Sequence, residues 1–295
     1  MSERIAAPFG RRLLRITANE ALGAYRVLKA ADPDGPQPAA GQFAMLAAAE
    51  RWGAGEDERP YLPRAFSYAR FRDGEAHFLL EDVGPGTHRL CELKEGDGLW
   101  LLGPLGRGFT APGHERRALL VGGGVGIAPL AIWQDELGAG QYGSPGARHT
   151  GVGQLAADLR PTVLLGFRDG AHAEGATLLE DAALATDDGS IGHRGLVTDL
   201  LRGELDRDGG GPTGLQATVY ACGPPPMLEA VRALCAERGV AAQLALEAGM
   251  ACGFGACYGC VVPTRGRGYL RVCVDGPVVD ATLLAGVDGH AETSA

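Results

Sequence analysis

The sequence predicts an α/β plus β protein: an N-terminal antiparallel β-barrel, a parallel α/β nucleotide-binding domain and a small C-terminal cysteine-rich module. Three observations predict this. Short apolar or alternating runs separated by turn clusters fill the first hundred or so residues. From near residue 113, buried apolar runs alternate with helical ones. From near residue 244, cysteines crowd among glycines. The expected units are 1–113, 114–243 and 244–295.

The barrel rests on six runs: "LLRITANEAL", "AYRVLKAA", "GQFAMLAAA", "RAFSYARF", "EAHFLLEDV" and "DGLWLLGPLG", parted by turn signals such as "DPDGP", "RDGE" and "KEGDG". Six strands at this spacing suit a small closed sheet. Two motifs in it can carry chemistry. In "RAFS", Arg64 can pair with a phosphate and Ser67 can hydrogen-bond a ring nitrogen; alone, an arginine there also reads as a solvated strand edge. "GPGT", residues 84–87, begins a helical stretch, "THRLCEL". Backbone N–H groups around Gly86 and Thr87 at a helix start suit a pyrophosphate; the plain alternative is an ordinary helix capped by Thr87. Both motifs falling in one barrel makes the pair more informative than either.

In the second unit, "RRALLVGGGVGIAPLAIWQDEL" reads as strand, glycine turn and helix, and "PTVLLGFRD" as a second buried strand. "ATVYACGPPPMLEAVRALCAERG" repeats strand, turn and helix, ending at Gly239. Buried strands alternating with helices predict a parallel sheet. Gly122, Gly123, Gly124 and Gly126 permit a tight turn and the close approach of a dinucleotide, and Pro129 falls in the first helical turn, where its missing N–H is tolerated. Cys222, Gly223, Pro224 and Met227 repeat that turn at the last strand. "ATDDGSIGHRG", 185–195, reads either as a loop or as a lining of the face where nicotinamide meets flavin. Residues 138–153, "GAGQYGSPGARHTGVG", read as a surface loop, with a lid as the alternative.

Seven cysteines are present, and four form Cys252-x4-Cys257-x2-Cys260-x12-Cys273. The first three match the plant-type [2Fe-2S] spacing, with a more distant fourth ligand. Zinc ribbons use two C-x2-C knuckles, which this spacing lacks; zinc and unliganded core cysteines are the alternatives. Gly253, Gly255, Ala256 and Gly259 keep side chains away, so backbone N–H groups can approach the sulfurs. Cys91 and Cys235 read as buried apolar residues.

The formal net charge of −9 predicts no nucleic-acid partner. The opening "MSERIAAPFGRR" lacks the apolar core of a signal peptide. The longest apolar run, residues 118–133, is short for a membrane span and is broken by glycines. A cytoplasmic protein with no membrane partner is expected.

The ordered set "RAFS", "GPGT", "GPLGRGF", "GGGVGIAPL", "LLGFRD", "TDDGSIGHRG", "CGPPPML" resembles the ferredoxin-NAD(P)⁺ reductase superfamily. The C-terminal "LEAGMACGFGACYGCVV" narrows the resemblance to the electron transfer subunits of NAD⁺-dependent dihydroorotate dehydrogenase B. That resemblance covers almost the whole chain and implies a ferredoxin reductase-like fold with FAD, a [2Fe-2S] cluster and NAD. It implies FAD held by Arg64, Ala65, Phe66, Ser67, Leu79, Leu80, Glu81, Gly86 and Thr87, and the cluster by Cys252, Cys257, Cys260 and Cys273. It also implies an FMN-containing catalytic partner that oxidises dihydroorotate, in a heterotetramer of two of each chain. Electrons would pass from FMN to the cluster, to FAD, to NAD⁺, with no general base on this chain. Three features depart from the pattern: Ala65 replaces a usual proline, "LLE" at 79–81 lacks the aromatic and basic residues common there, and the 138–153 loop is longer than usual. For nucleotide choice, Arg168 could meet a 2′-phosphate, Asp169 would repel it and no basic cluster follows; the preference for NAD is implied mostly by the resemblance. Three rival readings stand beside this one. They are the small chain of an NADH-dependent ferredoxin:NADP⁺ oxidoreductase or sulfide dehydrogenase, a stand-alone NADH oxidase or reductase, and a non-catalytic zinc-bearing interaction subunit.

Overall fold

The computed structural model describes residues 10–53, 60–112, 116–139, 160–208, 217–266 and 268–285. The six expected runs form β1 (Arg12–Leu22), β2 (Tyr25–Ala31), β3 (Phe43–Ala48), β4 (Arg64–Arg72), β5 (Glu75–Glu81) and β6 (Gly98–Leu105). They close into an antiparallel barrel in the order β1-β2-β5-β4-β3-β6. Alternation drives the closure. Along β6, Leu99 and Leu101 are buried while Trp100 and Leu102 are only partly so, and the inward residues meet Leu14, Ile16, Leu28, Leu46, Phe78 and Leu80 in one core. The "RDGE" turn is a two-residue hairpin, with φ of 53° at Asp73 and 73° at Gly74. Two positive φ values match the twist of the flanking strands. Helix α1 (Pro85–Cys91) bridges β5 and β6.

The second unit contains β7 (Arg117–Gly123), α2 (Ile127–Ala139), β8 (Thr162–Phe167), the short α3 (Gly170–Ala173), β9 (Ala182–Thr186), β10 (His193–Arg194), α4 (Val197–Asp208), β11 (Ala217–Cys222), α5 (Pro225–Arg238) and β12 (Ala241–Ala245). Adjacent strands among these run parallel. The central strands β7, β8 and β11 are largely apolar because both faces are covered. Leu120 and Val163 face α2 and the barrel side, whereas Leu119 and Val121 face α4 and α5. Helix α5 stops at Gly239, whose φ of 66° gives a left-handed cap.

The last stretch adds β13 (Val261–Pro263), β14 (Tyr269–Arg271), α6 (Val272–Asp275) and β15 (Val278–Asp280). β13 and β14 pair as a small two-stranded sheet. β15 instead returns to the large sheet and pairs antiparallel with β12, giving β10-β9-β8-β7-β11-β12-β15. The stretch after residue 244 is therefore stitched into the α/β sheet at its end. Among the described residues no helix is long and apolar enough to cross a membrane.

Barrel and sheet are locked through α2. Arg70 on β4 donates to Ala131 O at 3.0 Å, to Asp135 at 2.8 Å and to Leu178 O at 2.6 Å. Phe109, Trp133 and Tyr220 pack in tilted and edge-on pairs at centroid separations of 5.3–5.7 Å. Glu136 Oε1 accepts the Ala40 N–H at 2.9 Å, and burial pushes its carboxyl up to about 7. The folded protein thus holds this proton longer than the unfolded chain does. Its contribution to stability is present below about pH 4.5 and is lost as pH rises through about 7. A Glu136→Gln variant is expected to show a flatter stability–pH profile over that window in denaturant titrations. Parallel profiles for variant and parent would contradict the assignment.

Candidate functional site

The barrel is not fully zipped. β3 pairs with β4 from Phe43↔Ser67 to Leu46↔Arg64, and β5 pairs with β2 through Leu79, Leu80 and Glu81. Between β4 and β5, however, pairing runs only from Arg72↔Glu75 to Tyr68↔Phe78, across a bulge. Beyond Tyr68 and Phe78 the two strands part. The backbone edges of Arg64–Ser67 and Leu79–Glu81 line the two sides of the opening. Backbone groups on such edges need partners, and a flat heterocycle with donors and acceptors along its rim can supply them.

One end of the opening is cationic. Arg64 Nη1 donates to Leu62 O at 2.6 Å, and its guanidinium lies 6.0 Å from the Trp52 ring. A Cβ at Gly86 would sit 2.6 Å from Arg64 Nε, so the arginine crosses close over the first turn of α1. "RAFS" and "GPGT" are thus brought into contact. The helix begins within "GPGT": α1 starts at Pro85 with Gly84 as its cap, so the alternative of a Thr87 cap does not hold. Thr87, three residues in, accepts the N–H groups of Val83 and Gly84 at 2.9 and 3.0 Å. The proline at the first helical position drew the helix forward.

The 79–81 segment offers backbone rather than side chains. Leu79 packs in the core between barrel and sheet, and Leu80 in the barrel core. Glu81 turns toward the α/β domain, where its carboxylate pairs with Arg168 and lies 3.4 Å from His172 Nε2. Asp169 caps α3 by accepting the His172 N–H at 3.0 Å, and a second bond, from the His172 ring, helps hold its carboxyl below the usual range. Arg168 is thereby engaged across the domain boundary.

The glycine turns meet at the switch point of the sheet. β8, β9 and β10 extend from one side of β7, and β11 and β12 from the other. Ligands bind open α/β sheets outside the carboxyl ends of such strands. Gly122 pairs with Cys222 across this junction. A Cβ at Gly126 would lie 2.5 Å from Cys222 O, one at Gly123 would lie 2.6 Å from Met227 Sδ, and one at Gly223 would lie 2.6 Å from Met227 Cε. Gly124 has φ 55° and open space around it. A Cβ at Gly122 would meet Leu165, Ile127 and Leu130 at 2.9–3.1 Å, so its missing side chain allows close packing under the turn. Pro224 is the cap of α5. The Cys222 thiol is pushed up by burial and by the nearby Glu247, so it stays protonated. In the 185–195 segment, Thr186 is buried and bonds Ile191 O at 2.8 Å, while Asp188 Oδ1 accepts from Ser190 N and Oγ. The segment forms a tight turn joining β9 to β10.

Among the described residues no three His, Cys, Asp or Glu side chains converge as a single-ion site requires. The four cysteines fall instead into two pairs. Cys260 and Cys273 are buried with their sulfurs 3.2 Å apart. Cys252 and Cys257 bond each other nearer the surface. Burial raises the Cys252 thiol, but backbone N–H groups of Cys257, Phe254 and Ala256 outweigh it and bring the group down to about 6. Cys273, next to Cys260 in the interior, is pushed up to about 12 by burial first and by that contact second, against the pull of the Gly255 N–H. Paired thiols ringed by amide N–H groups fit a two-iron cluster, which takes two cysteines per iron and whose sulfurs accept hydrogen bonds. Gly253 and Gly255, at φ 79° and 85°, make that ring possible. A Cβ at Gly253 would lie 2.5 Å from Met45 Cγ, and one at Gly255 2.7 Å from Val274 Cγ2.

Residues 247–285 match the family model of the iron-sulfur cluster binding domain of dihydroorotate dehydrogenase B. The chain is 35% identical over 251 residues to the dihydroorotate dehydrogenase B (NAD(+)) electron transfer subunit of Caldanaerobacter subterraneus subsp. tengcongensis, covering 83% of this chain and 86% of that one. The chain belongs to this family of electron transfer subunits. The relative from Geobacillus thermodenitrificans is 38% identical over 253 residues, covering 82% and 84%. A solved structure of an NADH-dependent reduced ferredoxin-NADP oxidoreductase superposes with a TM-score of 0.70 over 96% of this chain and 93% of its own, at 23% identity. That likeness supports the ferredoxin reductase-like fold alone.

Within the family frame, three features were not foreseen from sequence. Met45 seats the cysteine loop; in "FAMLAA" it reads only as strand core. Glu247 adjoins Cys222, and no spacing signal joins them. The Glu81–Arg168 pair joins residues 87 apart in the chain. The 138–153 loop lies outside the described residues from position 140 onward. Gly126→Ala is expected to drive its methyl into the Cys222 carbonyl, lowering stability by about 1–3 kcal/mol and weakening nicotinamide nucleotide binding in a fluorescence titration. Gly138→Ala, on open helix surface, is the control and should stabilise by up to about 1 kcal/mol. Equal effects from the two would contradict the close-approach reading.

Proposed function

We propose that this chain carries electrons from a catalytic subunit that binds FMN and oxidises dihydroorotate to orotate, through its own [2Fe-2S] cluster and FAD, to NAD⁺. One observation carries the reading. Cys260 and Cys273 share a hydrophobic core with Phe43, Met45 and Leu105 of the barrel, and Ala65 of "RAFS" packs against it. The cysteine module and the barrel opening are neighbours, as an electron relay requires.

In this reading Arg64 and the α1 turn at Gly86 and Thr87 hold the FAD pyrophosphate. The backbone of Ala65–Ser67 and of Leu79–Glu81 borders the ring, with the Ser67 hydroxyl available to a ring nitrogen. The turns at Gly123, Gly124 and Gly126 and at Cys222, Gly223, Pro224 and Met227 receive NAD. Cys252, Cys257, Cys260 and Cys273 ligate the cluster. When bound, the cluster exchanges single electrons, FAD exchanges one or two, and nicotinamide accepts a hydride. The protein's part is to hold these groups in sequence and keep water from the ring. The neutral Cys222 thiol and the apolar Met227 side chain suit a dry contact between nicotinamide and flavin.

Cys257 is exposed, and Phe254, Tyr258, Val261 and Tyr269 are exposed around the same module. Apolar surface beside an exposed ligand suits a docking partner. A cytoplasmic heterotetramer with two copies of each subunit is the proposed assembly.

Co-purification with an FMN subunit should yield dihydroorotate-dependent NAD⁺ reduction. A pair that forms without that activity would rule out the pyrimidine assignment. Cys257→Ser should lose cluster absorbance and at least about tenfold of partner-driven reduction, a barrier increase near 1.4 kcal/mol. NADH oxidation by an artificial two-electron acceptor should persist. Equal loss of both activities would contradict the proposed order of carriers.

A further inference from the structure

Arg271 lies two residues before Cys273 and holds the cysteine loop from outside. A Cβ at Gly255 would lie 3.3 Å from Arg271 Nη1, so the guanidinium abuts the turn whose N–H reaches Cys273. Its Cζ lies 5.7 Å from the ring of Tyr258, between Cys257 and Cys260, whose φ of 57° is unusual for a residue with a side chain. Arg271 is anchored in turn by Asp275. The Arg271 N–H donates to Asp275 Oδ2 at 2.9 Å and Nε donates to the same oxygen at 3.3 Å. The carboxylate lies one helical turn on, at the end of α6, and fixes where the guanidinium points.

We propose that Arg271 is a positioning residue that raises the reduction potential of the cluster, with Asp275 opposing and orienting it. The inference rests on the [2Fe-2S] reading above. Reduction adds one electron and no proton to a site already rich in thiolate charge. A cation beside the ligand loop stabilises the more negative state, and a carboxylate destabilises it. The guanidinium beside the Tyr258 ring and the Gly255 turn also helps keep the amide N–H groups aimed at the sulfurs, which acts in the same direction.

The test is an EPR-monitored redox titration of the intact chain and of Arg271→Gln, Arg271→Lys and Asp275→Asn. Arg271→Gln should shift the cluster potential negative, Arg271→Lys should restore most of the parent value, and Asp275→Asn should shift it positive. An Arg271→Gln potential equal to the parent's would overturn the proposal. So would a shift of the same sign in Arg271→Gln and Asp275→Asn, which indicates loop distortion rather than charge. If Arg271→Gln fails to assemble a cluster, Arg271→Lys and Asp275→Asn decide: a positive shift in Asp275→Asn with Arg271→Lys near the parent value supports the proposal, and an absent or negative shift in Asp275→Asn overturns it. A parent chain with no reduced-cluster EPR signal would instead defeat the [2Fe-2S] reading itself.

Discussion

The contact between the cysteine loop and the barrel wall governs the rest of this structure. At Gly253 the chain passes so close to Met45 that a methyl group would overlap its side chain. Met45 pairs with Ala65 in the β3–β4 ladder. From cysteine loop to "RAFS" is therefore one residue's thickness of packed protein. The buried pair, Cys260 and Cys273, lies within the same core. Two modules that are separate in sequence share their apolar interior, so neither can shift without the other.

That shared core faces an opening made by withheld pairing. β4 uses one edge on β3 and β5 uses one edge on β2, and beyond Tyr68 and Phe78 the remaining edges diverge. A fully closed barrel would have no such site. The α/β domain presents its switch point through the polar seam formed by Glu81, Arg168, His172 and Asp169, and Arg70 clamps α2 from the other flank. Pairing at the seam is exposed at Arg168 and contributes modestly to stability. Its main effect is orientation: it fixes Glu81 away from the opening and leaves the backbone of 79–81 to face it.

Much of this was legible in the sequence for local reasons. The alternating runs became the six barrel strands, and the Asp73–Gly74 turn follows from its residue types. The glycine turns and the cysteine spacing are short-range patterns whose geometry the chain encodes within a dozen residues. What the sequence hid is long-range. Thr87 also reads as a cap, since a threonine often precedes a helical run, but Pro85 takes the first helical position and Gly84 is the cap. β15 gave no sign that it would rejoin a sheet whose nearest strand, β12, lies some thirty residues earlier. Glu81, as a side chain, argued against a phosphate site; its carboxylate is spent on Arg168, and the segment contributes backbone instead. Met45 and Glu247 carry no motif, and only packing shows their place. Arg271 could have been noticed, since an acid four residues on and a cysteine two residues on form a readable pattern.

The central claim is that one chain holds a flavin and a two-iron cluster side by side. Cofactor analysis of the chain purified without oxygen tests it most directly. The account predicts flavin equimolar with protein, and iron and acid-labile sulfide in equal amounts, bleached together by NADH. Zinc in place of iron, or a colourless protein that takes up neither flavin nor iron on reconstitution, would contradict it.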